Sequence, residues 1–180
     1  MPESKTIGNF DIFQEDKTGF RIKASFSGND FKKEWSRCNY LSNYIAEYSA
    51  YNFDPGDKTE NLISTVLNEM IERLSLLTQE DSPISVTLKE SGDHIIIDVE
   101  NMIYPDKFNM YERVIQKINT EEIGKLYLEN ITIDPVSEVN ELEFGFVMLA
   151  NDFKCRISSR IQDDGRTTTR IAIKNEEARV

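Results

Sequence analysis

The sequence has few of the residues on which catalytic and metal sites most often depend. Its 180 residues include one histidine and two cysteines, and His94 has no second histidine with which to form a ligand pair. Cys38 and Cys155 lie far apart without a close Cys or His partner, which argues against a zinc site or a redox pair. We therefore predict two buried free thiols and no metal centre, and we interpret His94 as a residue at the end of a strand.

Long apolar runs and runs of lysine or arginine are also missing. The longest uncharged apolar stretch, residues 144–150, is far shorter than the roughly 20 residues that span a bilayer, and the first five residues contain no apolar signal core. With 32 acidic and 21 basic residues, the formal net charge is −11, which disfavours binding to nucleic acid or to an anionic membrane. These features predict a cytoplasmic protein that binds neither.

The sequence does contain enough apolar residues for one core. Hydrophobic residues make up 39% of the chain, and no repeat, low-complexity tract or flexible linker interrupts it. We therefore predict a single domain over residues 1–180, with an N-terminal strand hairpin in residues 1–28 and the core in residues 30–175.

Alternation of apolar and polar side chains predicts the strands. The alternation is clear over residues 20–26, and an extended piece around residues 7–13 is predicted to pair with that strand as the N-terminal hairpin. Two further hairpins are predicted, one from residues 84–89 and 94–100 and one from residues 153–161 and 167–173.

Helical periodicity predicts a second layer. Asp57 followed by Glu60 forms a capping box before an apolar stripe, and Asn119 followed by Glu122 predicts another helix start in the same way. The predicted helices cover residues 30–52, 59–78, 107–118, 120–131 and 143–152. The order of elements predicts an α+β fold in which helices pack on a mixed, mostly antiparallel sheet.

Several short segments follow one another in an order that is typical of a known family. In chain order they are Ser25-Phe26-Ser27 leading to Trp35, Ala46-Glu47-Tyr48, Asn68-Glu69, Val99-Glu100-Asn101, Phe144-Gly145-Phe146 with Asn151-Asp152-Phe153, and Thr167-Thr168-Thr169. Together they resemble the GHKL (histidine-kinase-like) ATPase fold, and within it the bacterial regulators similar to anti-sigma-factor serine kinases. The resemblance covers roughly residues 20–175 and implies a two-layer α/β sandwich of the GHKL type.

The first box of that family reads roughly Asn-Glu-Leu-Leu-x-Asn in members that bind nucleotide. The resemblance implies that Asn68 and Glu69 correspond to its start, with Glu69 as the base or water-positioning group. The family's magnesium-binding asparagine is replaced by Arg73, and a guanidinium cannot ligate a cation. Arg73 is spaced to pair with Glu69 on a helix, or it contacts phosphate directly in place of the metal.

The second and third boxes have also changed. The second normally reads Asp-x-Gly-x-Gly, but here both glycines are absent and Asn101 stands where the adenine-reading aspartate is expected. The Asn101 side chain can accept a hydrogen bond from adenine, or it can cap the loop after the strand. The third box normally reads Gly-x-Gly at a helix start, where backbone N–H groups bind phosphate. Gly145 matches its second glycine, whereas Glu143 replaces the first and would repel a triphosphate.

These departures predict a regulator that acts by protein–protein binding, with a degenerate ATP site, weak or absent ATP binding and no magnesium site. The resemblance implies a STAS-type antagonist, a sigma factor or a signalling phosphatase as partner, or self-association as a homodimer. Trp35, Tyr40 and Tyr44 are the predicted partner contacts, unless these aromatic side chains fill the core. One alternative is an active ATP-dependent protein-serine kinase with Glu69 as base, and another is an α+β module of unrelated function.

Overall fold

The computed structural model describes residues 4–12, 19–53, 57–132 and 138–174. The strands are β1 (Ser4–Ile7), β2 (Arg21–Ser27), β3 (Pro83–Ser91), β4 (His94–Met102), β5 (Arg156–Gln162) and β6 (Arg166–Lys174). The helices are α1 (Gly28–Lys33), α2 (Ser36–Phe53), α3 (Asp57–Leu77), α4 (Pro105–Thr120), α5 (Ile123–Thr132) and α6 (Glu138–Asp152), with a 3₁₀ turn at Phe10–Ile12. The predicted α+β class is confirmed.

The strands form one six-stranded sheet in the order β1-β5-β6-β4-β3-β2. Every pairing between described strands is antiparallel, so the expectation of a mixed sheet is wrong for this part of the chain. The two later hairpins, β3–β4 and β5–β6, are confirmed as adjacent antiparallel pairs. They form four neighbouring strands of the sheet, between the edge strands β1 and β2.

The predicted N-terminal hairpin is wrong. β1 pairs with β5 and β2 pairs with β3, so the two strands lie at opposite edges of the sheet. The extended piece around residues 7–13 is not one strand either, because Gly8 has φ +73 and the chain then turns at Phe10–Ile12. Gly8 also lies so close to α4 that a Cβ atom on it would clash with Asn119 Oδ1. Residue 13 lies outside the described residues.

Helix boundaries differ from the prediction at α1–α2, at the end of α4, and at the start of α6, which begins at Glu138 and not at residue 143. The helix expected over residues 30–52 is two helices, because Glu34 has extended backbone angles between α1 and α2. Asn119 does not begin a helix but lies in the last turn of α4, where its side-chain amide donates to the carbonyl oxygens of Ile115 (2.8 Å) and Ile157 (3.0 Å). The side chain of Asp57, and with it the predicted capping box, lies outside the described residues.

The helices pack on one face of the sheet. α3 supplies the centre of this layer with Leu67, Met70 and Ile71, each with 0% exposure. They belong to the same core as Ile97 and Val99 of β4. Burying each such side chain stabilises the fold by about 1.5–3 kcal/mol. These residues belong to the broad apolar stripe of α3, which is the clearest helical signal in the sequence.

The two cysteines and the histidine, for which the sequence predicts no chemical role, lie where the sequence predicts them. Cys38 and Cys155 are buried free thiols, as predicted, and burial, with the Glu72 carboxylate adding to it, raises the pKa of Cys38 to about 12. His94 is the first residue of β4, as predicted. Among the described helices, none is long and apolar enough to cross a membrane.

Candidate functional site

The structure brings the first and third box segments into direct contact. Arg73 of α3 lies against Gly145 of α6, and a Cβ atom added to Gly145 would be 2.6 Å from Arg73 Nε. Gly145 therefore makes room for the arginine side chain. The two segments that the sequence resemblance singled out are neighbours across a helix–helix contact.

Glu69 and Arg73 form the predicted ion pair. Arg73 Nη2 lies 3.3 Å from Glu69 Oε2, and the two side chains are 23% and 20% exposed. Burial raises the pKa of the Glu69 carboxyl, the positive charge of Arg73 opposes that rise, and the nearby Glu72 adds to it. Glu69 is therefore a partly buried carboxylate whose charge Arg73 partly neutralises.

The side-chain amide of Asn68 bonds to a third residue of α3, Glu72. Its Nδ2 donates to Glu72 Oε1 at 3.0 Å. Within the described part of the chain, Asn68 Oδ1 and Arg73 Nε are buried without a hydrogen-bond partner. Such atoms are uncommon in folded proteins because an unmet buried polar group is costly, so α3 carries two polar side-chain atoms here at an energetic cost.

Gly145 is not at a helix start, which corrects the geometry expected for the third box. α6 begins at Glu138, well before residue 143, so Gly145 lies inside the helix. Only the first four N–H groups of a helix lack partners within it, and the N–H of Gly145 is not one of them. Gly145 thus has no free backbone donor to offer a phosphate group in this arrangement.

Glu143 also differs from its expected role. Its Oε1 accepts hydrogen bonds from Lys117 Nζ at 2.6 Å and from Asn130 Nδ2 at 3.0 Å. The bond to Glu143 is the main cause that raises the pKa of Lys117. Glu143 therefore ties α6 to α4 and α5, and its charge is compensated within the protein.

Little space remains between the two box helices. The cavity lined by Arg73, Leu76, Leu77, Glu141 and Leu142 measures about 10 Å³. A cavity needs roughly 10–15 Å³ to hold even one water molecule. The side chains of α3 and α6 therefore pack closely at this contact.

Asn101 is buried beneath the end of α3. It is 3% exposed, and its Nδ2 donates to Thr78 Oγ1 at 2.9 Å and, at 3.4 Å, to the carbonyl oxygen of Leu74. Its Oδ1, the atom predicted to accept from adenine, is buried without a partner among the described residues. Asn101 joins the sheet to α3, and the adenine-reading role stays a prediction.

A row of exposed aromatic side chains runs along α2. Tyr40, Tyr44, Tyr48 and Tyr51, which we name the tyrosine stripe, are 73%, 64%, 55% and 77% exposed. Trp35, just before α2, is 43% exposed. The alternative that Trp35, Tyr40 and Tyr44 fill the core is therefore wrong. The other side of α2 packs on α3 through buried residues such as Cys38 and Ile45.

Sequence reasoning left Tyr48 and Tyr51 out of the predicted contacts. Both continue the spacing of Tyr40 and Tyr44, since positions three or four apart share one face of a helix. The repeat is visible in the sequence, but the sequence does not say which face of α2 meets α3. The Phe20 ring lies 6.1 Å from that of Tyr48, so the stripe extends to the beginning of β2.

Comparison with known proteins gives a result at the level of the fold. No protein-family model matches the chain, and no curated protein matches it. Among solved structures, a chain in the crystal structure of the SiaB–SiaC complex from Pseudomonas aeruginosa matches with a TM-score of 0.56 and 16% sequence identity. The match covers 83% of this chain and 88% of that one. The two chains share a fold. At this identity, the similarity shows the fold and does not establish a function.

Proposed function

We propose that this protein is a signalling regulator of the GHKL-like fold that acts in the cytoplasm by binding a partner protein and does not use ATP. The observation that carries the proposal is the tyrosine stripe, with Trp35 beside it. Exposed aromatic residues of this size are uncommon as a set, because each leaves a large apolar area in water.

The composition of this surface suits protein recognition. Tyrosine and tryptophan are enriched where proteins bind one another, since their rings bury much area at a small loss of conformational entropy. The buried side of α2 already supplies its contact with α3. The exposed side is therefore available to a partner.

The close contact between α3 and α6 supports the second half of the proposal, which is that the protein does not use ATP. Arg73 stands where the resemblance implies a metal ligand, and Glu143 is committed to Lys117 and Asn130. A nucleotide would have to separate α3 from α6 and break the contact of Arg73 with Gly145. We infer that the protein keeps this fold as a scaffold for partner binding.

The matching solved structure is a complex of two proteins, which supports a protein as the partner. By the family resemblance, the candidates are a STAS-type antagonist, a sigma factor, a signalling phosphatase or a second copy of this chain. The identity of the partner is the first question for experiment.

The test compares partner capture by two matched variants. The immobilised protein is incubated with an extract of its source cells, and bound proteins are identified by mass spectrometry. We expect a protein that the wild type captures to be lost from Tyr40→Ser/Tyr44→Ser but retained by Leu128→Ser/Ile131→Ser, which alters two exposed apolar residues of α5. The proposal is wrong if the stripe variant captures the same proteins as the wild type. Light scattering of both variants tests self-association.

A protein-serine kinase is the second candidate, and the raised pKa of Glu69 together with the unpaired Asn68 Oδ1 favours it. A partly buried carboxylate beside unmet polar atoms is what a general base in phosphoryl transfer requires. This activity would be established if the wild type transfers phosphate from labelled ATP to a captured partner and the Glu69→Gln variant does not. Equal labelling with Glu69→Gln would eliminate Glu69 as its base.

A further inference from the structure

The strand β2 lies at one edge of the sheet. It pairs with β3 on one side, and no described residue pairs with it on the other. The pairing with β3 continues without a break over residues 21–27, so β2 contains no bulge. It also contains no proline or glycine. At about 3.3 Å per residue, this regular edge is about 23 Å long.

Two hydrogen bonds at the ends of β2 show which of its backbone groups face outward. The carbonyl oxygen of Phe20 accepts from the N–H of Glu90, and the N–H of Gly28 donates to the carbonyl oxygen of Ser82. Residues along an antiparallel strand alternate between facing the neighbouring strand and facing away from it. The even-numbered residues of β2 therefore bond to β3. The residues that point their N–H and C=O groups to the free edge are Arg21, Lys23 and Ser25.

The side chains of β2 follow the same alternation. Ile22, Ala24 and Phe26 pack against the core, but each keeps part of its surface in water because the sheet ends there. The side chains of the odd-numbered residues are exposed on the opposite face. Directly paired residues share a face, so a strand added beside β2 would place every second side chain next to the half-buried apolar row. Such a strand would cover the apolar surface that the edge leaves in water.

Edge strands are usually protected against pairing with other chains, by shortness, by irregular backbone or by charged side chains. β1, at the opposite edge, has four residues and ends next to Gly8, whose φ is +73. β2 is longer and regular. Its Lys23 is of the type that protects an edge, but Lys23 Nζ extends back over the sheet and lies 3.5 Å from Glu100. The edge of β2 is therefore suited to pairing with a further strand.

The free edge of β2 and the tyrosine stripe are neighbours. The ring of Phe20, just before β2, lies 6.1 Å from that of Tyr48 in the stripe. At the other end of β2, the ring of Phe26 lies 5.8 Å from that of Phe31 in α1. Since α2 follows α1, it runs back along β2 in the opposite direction. Unpaired backbone groups and exposed aromatic rings thus lie side by side on one surface.

We infer that an extended segment of the partner protein binds here as a further strand of the sheet, with its apolar side chains against the tyrosine stripe. This mode of binding rests on the proposed function, because the stripe is the same surface. Backbone pairing supplies the affinity in such recognition, and alternate side chains supply the specificity. The segment that fits alternates apolar residues with uncharged polar ones. A second copy of this chain fits less well, because each copy carries a net charge of −11.

The probe is a fluorescent peptide of about nine residues, enough to cover the edge, in which threonine alternates with valine and tyrosine. The comparison peptide has the same side chains, but every backbone N–H in it is methylated, so it cannot donate to a strand. Binding to the whole protein is measured by fluorescence anisotropy. We expect the first peptide to bind and the methylated peptide to bind at least about tenfold more weakly, because its hydrogen bonds to the edge are lost.

Two variants at one position separate backbone pairing from side-chain contact. Lys23→Pro removes an outward N–H that β3 does not use, so the sheet keeps its own hydrogen bonds. Lys23→Ala removes the same side chain, with its pair to Glu100, but keeps the N–H. We expect Lys23→Pro to weaken binding of the alternating peptide about tenfold or more, and Lys23→Ala to change it less than about twofold. Thermal unfolding of both variants confirms that they are folded.

Hydrogen exchange on the wild type gives a second measurement that needs no variant. In the free protein, the amides of Arg21, Lys23 and Ser25 should exchange rapidly, whereas those of Ile22 and Ala24 should exchange slowly because they bond to β3. The bound peptide should slow exchange of the three outward amides at least about tenfold.

Four outcomes would overturn the inference: no binding of the alternating peptide, equal binding of the methylated peptide, equal binding to the wild type and Lys23→Pro, or a wild-type dimer in sedimentation that Lys23→Pro converts to a monomer. In the last case a second copy occupies the edge. The proposed function is judged separately. A protein captured from the extract by both the wild type and Lys23→Pro, but not by Tyr40→Ser/Tyr44→Ser, would support the stripe and exclude the edge.

Discussion

The side chain of Arg73 occupies the space that a Cβ atom on Gly145 would need. Such a Cβ atom would lie only 2.6 Å from Arg73 Nε. In the family that the sequence resembles, these two positions are expected to bind the metal and the phosphate groups. Here they contact each other across α3 and α6.

This contact predicts that the effect of a methyl group on Gly145 changes sign with the residue at position 73. Replacing glycine by alanine inside a helix normally stabilises it by up to about 1 kcal/mol. We expect Gly145→Ala to destabilise the wild type by about 1 kcal/mol or more through overpacking, yet to stabilise the Arg73→Ala variant. Urea unfolding of the four proteins in this cycle gives the measurement. A stabilising Gly145→Ala in the wild type would contradict the contact.

Asp98 is a buried carboxylate that pairs with two buried cations of neighbouring strands, Arg170 and Lys89. Asp98→Ala leaves Arg170 and Lys89 buried without their carboxylate, so we expect a loss of about 3–5 kcal/mol in the free energy of unfolding. Glu100→Ala is the control, because its pair with Lys23 spans 3.5 Å between side chains that are 42% and 48% exposed. Exposed pairs contribute about 0–1 kcal/mol. Similar losses of unfolding free energy in both variants would show that Asp98 stabilises the protein no more than an exposed ion pair does.

Tyr111 predicts a loss of stability at high pH. It is fully buried, its hydroxyl bonds with Ser159 and Thr169 at 2.7 Å each, and burial raises its pKa to about 12. The tyrosine phenol has a pKa of about 10 in the unfolded state, so the unfolded state loses its proton first. Stability therefore falls as pH rises above that value.

The size of this effect is isolated by Tyr111→Phe, which removes the titrating group. We expect the wild type to lose about 1 kcal/mol more than the variant between about pH 9 and pH 11. At neutral pH, the variant should be less stable by about 1–2 kcal/mol because two hydroxyl contacts are lost. Chemical denaturation across this pH range checks both values. Parallel pH profiles would exclude Tyr111 as the group responsible.

The tyrosine stripe should contribute little to folding. Tyr40 and Tyr44 are exposed, so we expect Tyr40→Ser/Tyr44→Ser to change the free energy of unfolding by less than about 1 kcal/mol. Ile45→Ala, on the buried side of the same helix, should cost about 2–5 kcal/mol. If both variants lose several kcal/mol in the free energy of unfolding, the tyrosines stabilise the fold, and their exposure does not indicate a surface for a partner.

The sequence predicted local structure better than long-range pairing. The apolar stripe of α3 and the hairpins β3–β4 and β5–β6 were recognisable because their periodicity and turns lie within one short segment. The pairing of β1 with β5 was not recognisable, because alternation identifies a strand without indicating which strand it pairs with. The break at Glu34 was missed because the residues on both sides of it favour a helix.

The candidate site was predicted in part for the same reason. The pairing of Glu69 with Arg73 follows from helical spacing and is confirmed. The bonds of Glu143 to Lys117 and Asn130 join three helices, so no local pattern reveals them. Gly145 was expected at a helix start because the resemblance places it there, whereas the chain begins α6 earlier and buries the glycine against Arg73.

The central claim is that the protein binds a partner without binding ATP, and calorimetric titration with ATP tests it most directly. The titration is made with and without magnesium, on the wild type and on Arg73→Asn, which restores the residue of the family box. We predict no binding to the wild type at millimolar nucleotide under either condition. Magnesium-dependent binding of ATP to the wild type would contradict the account.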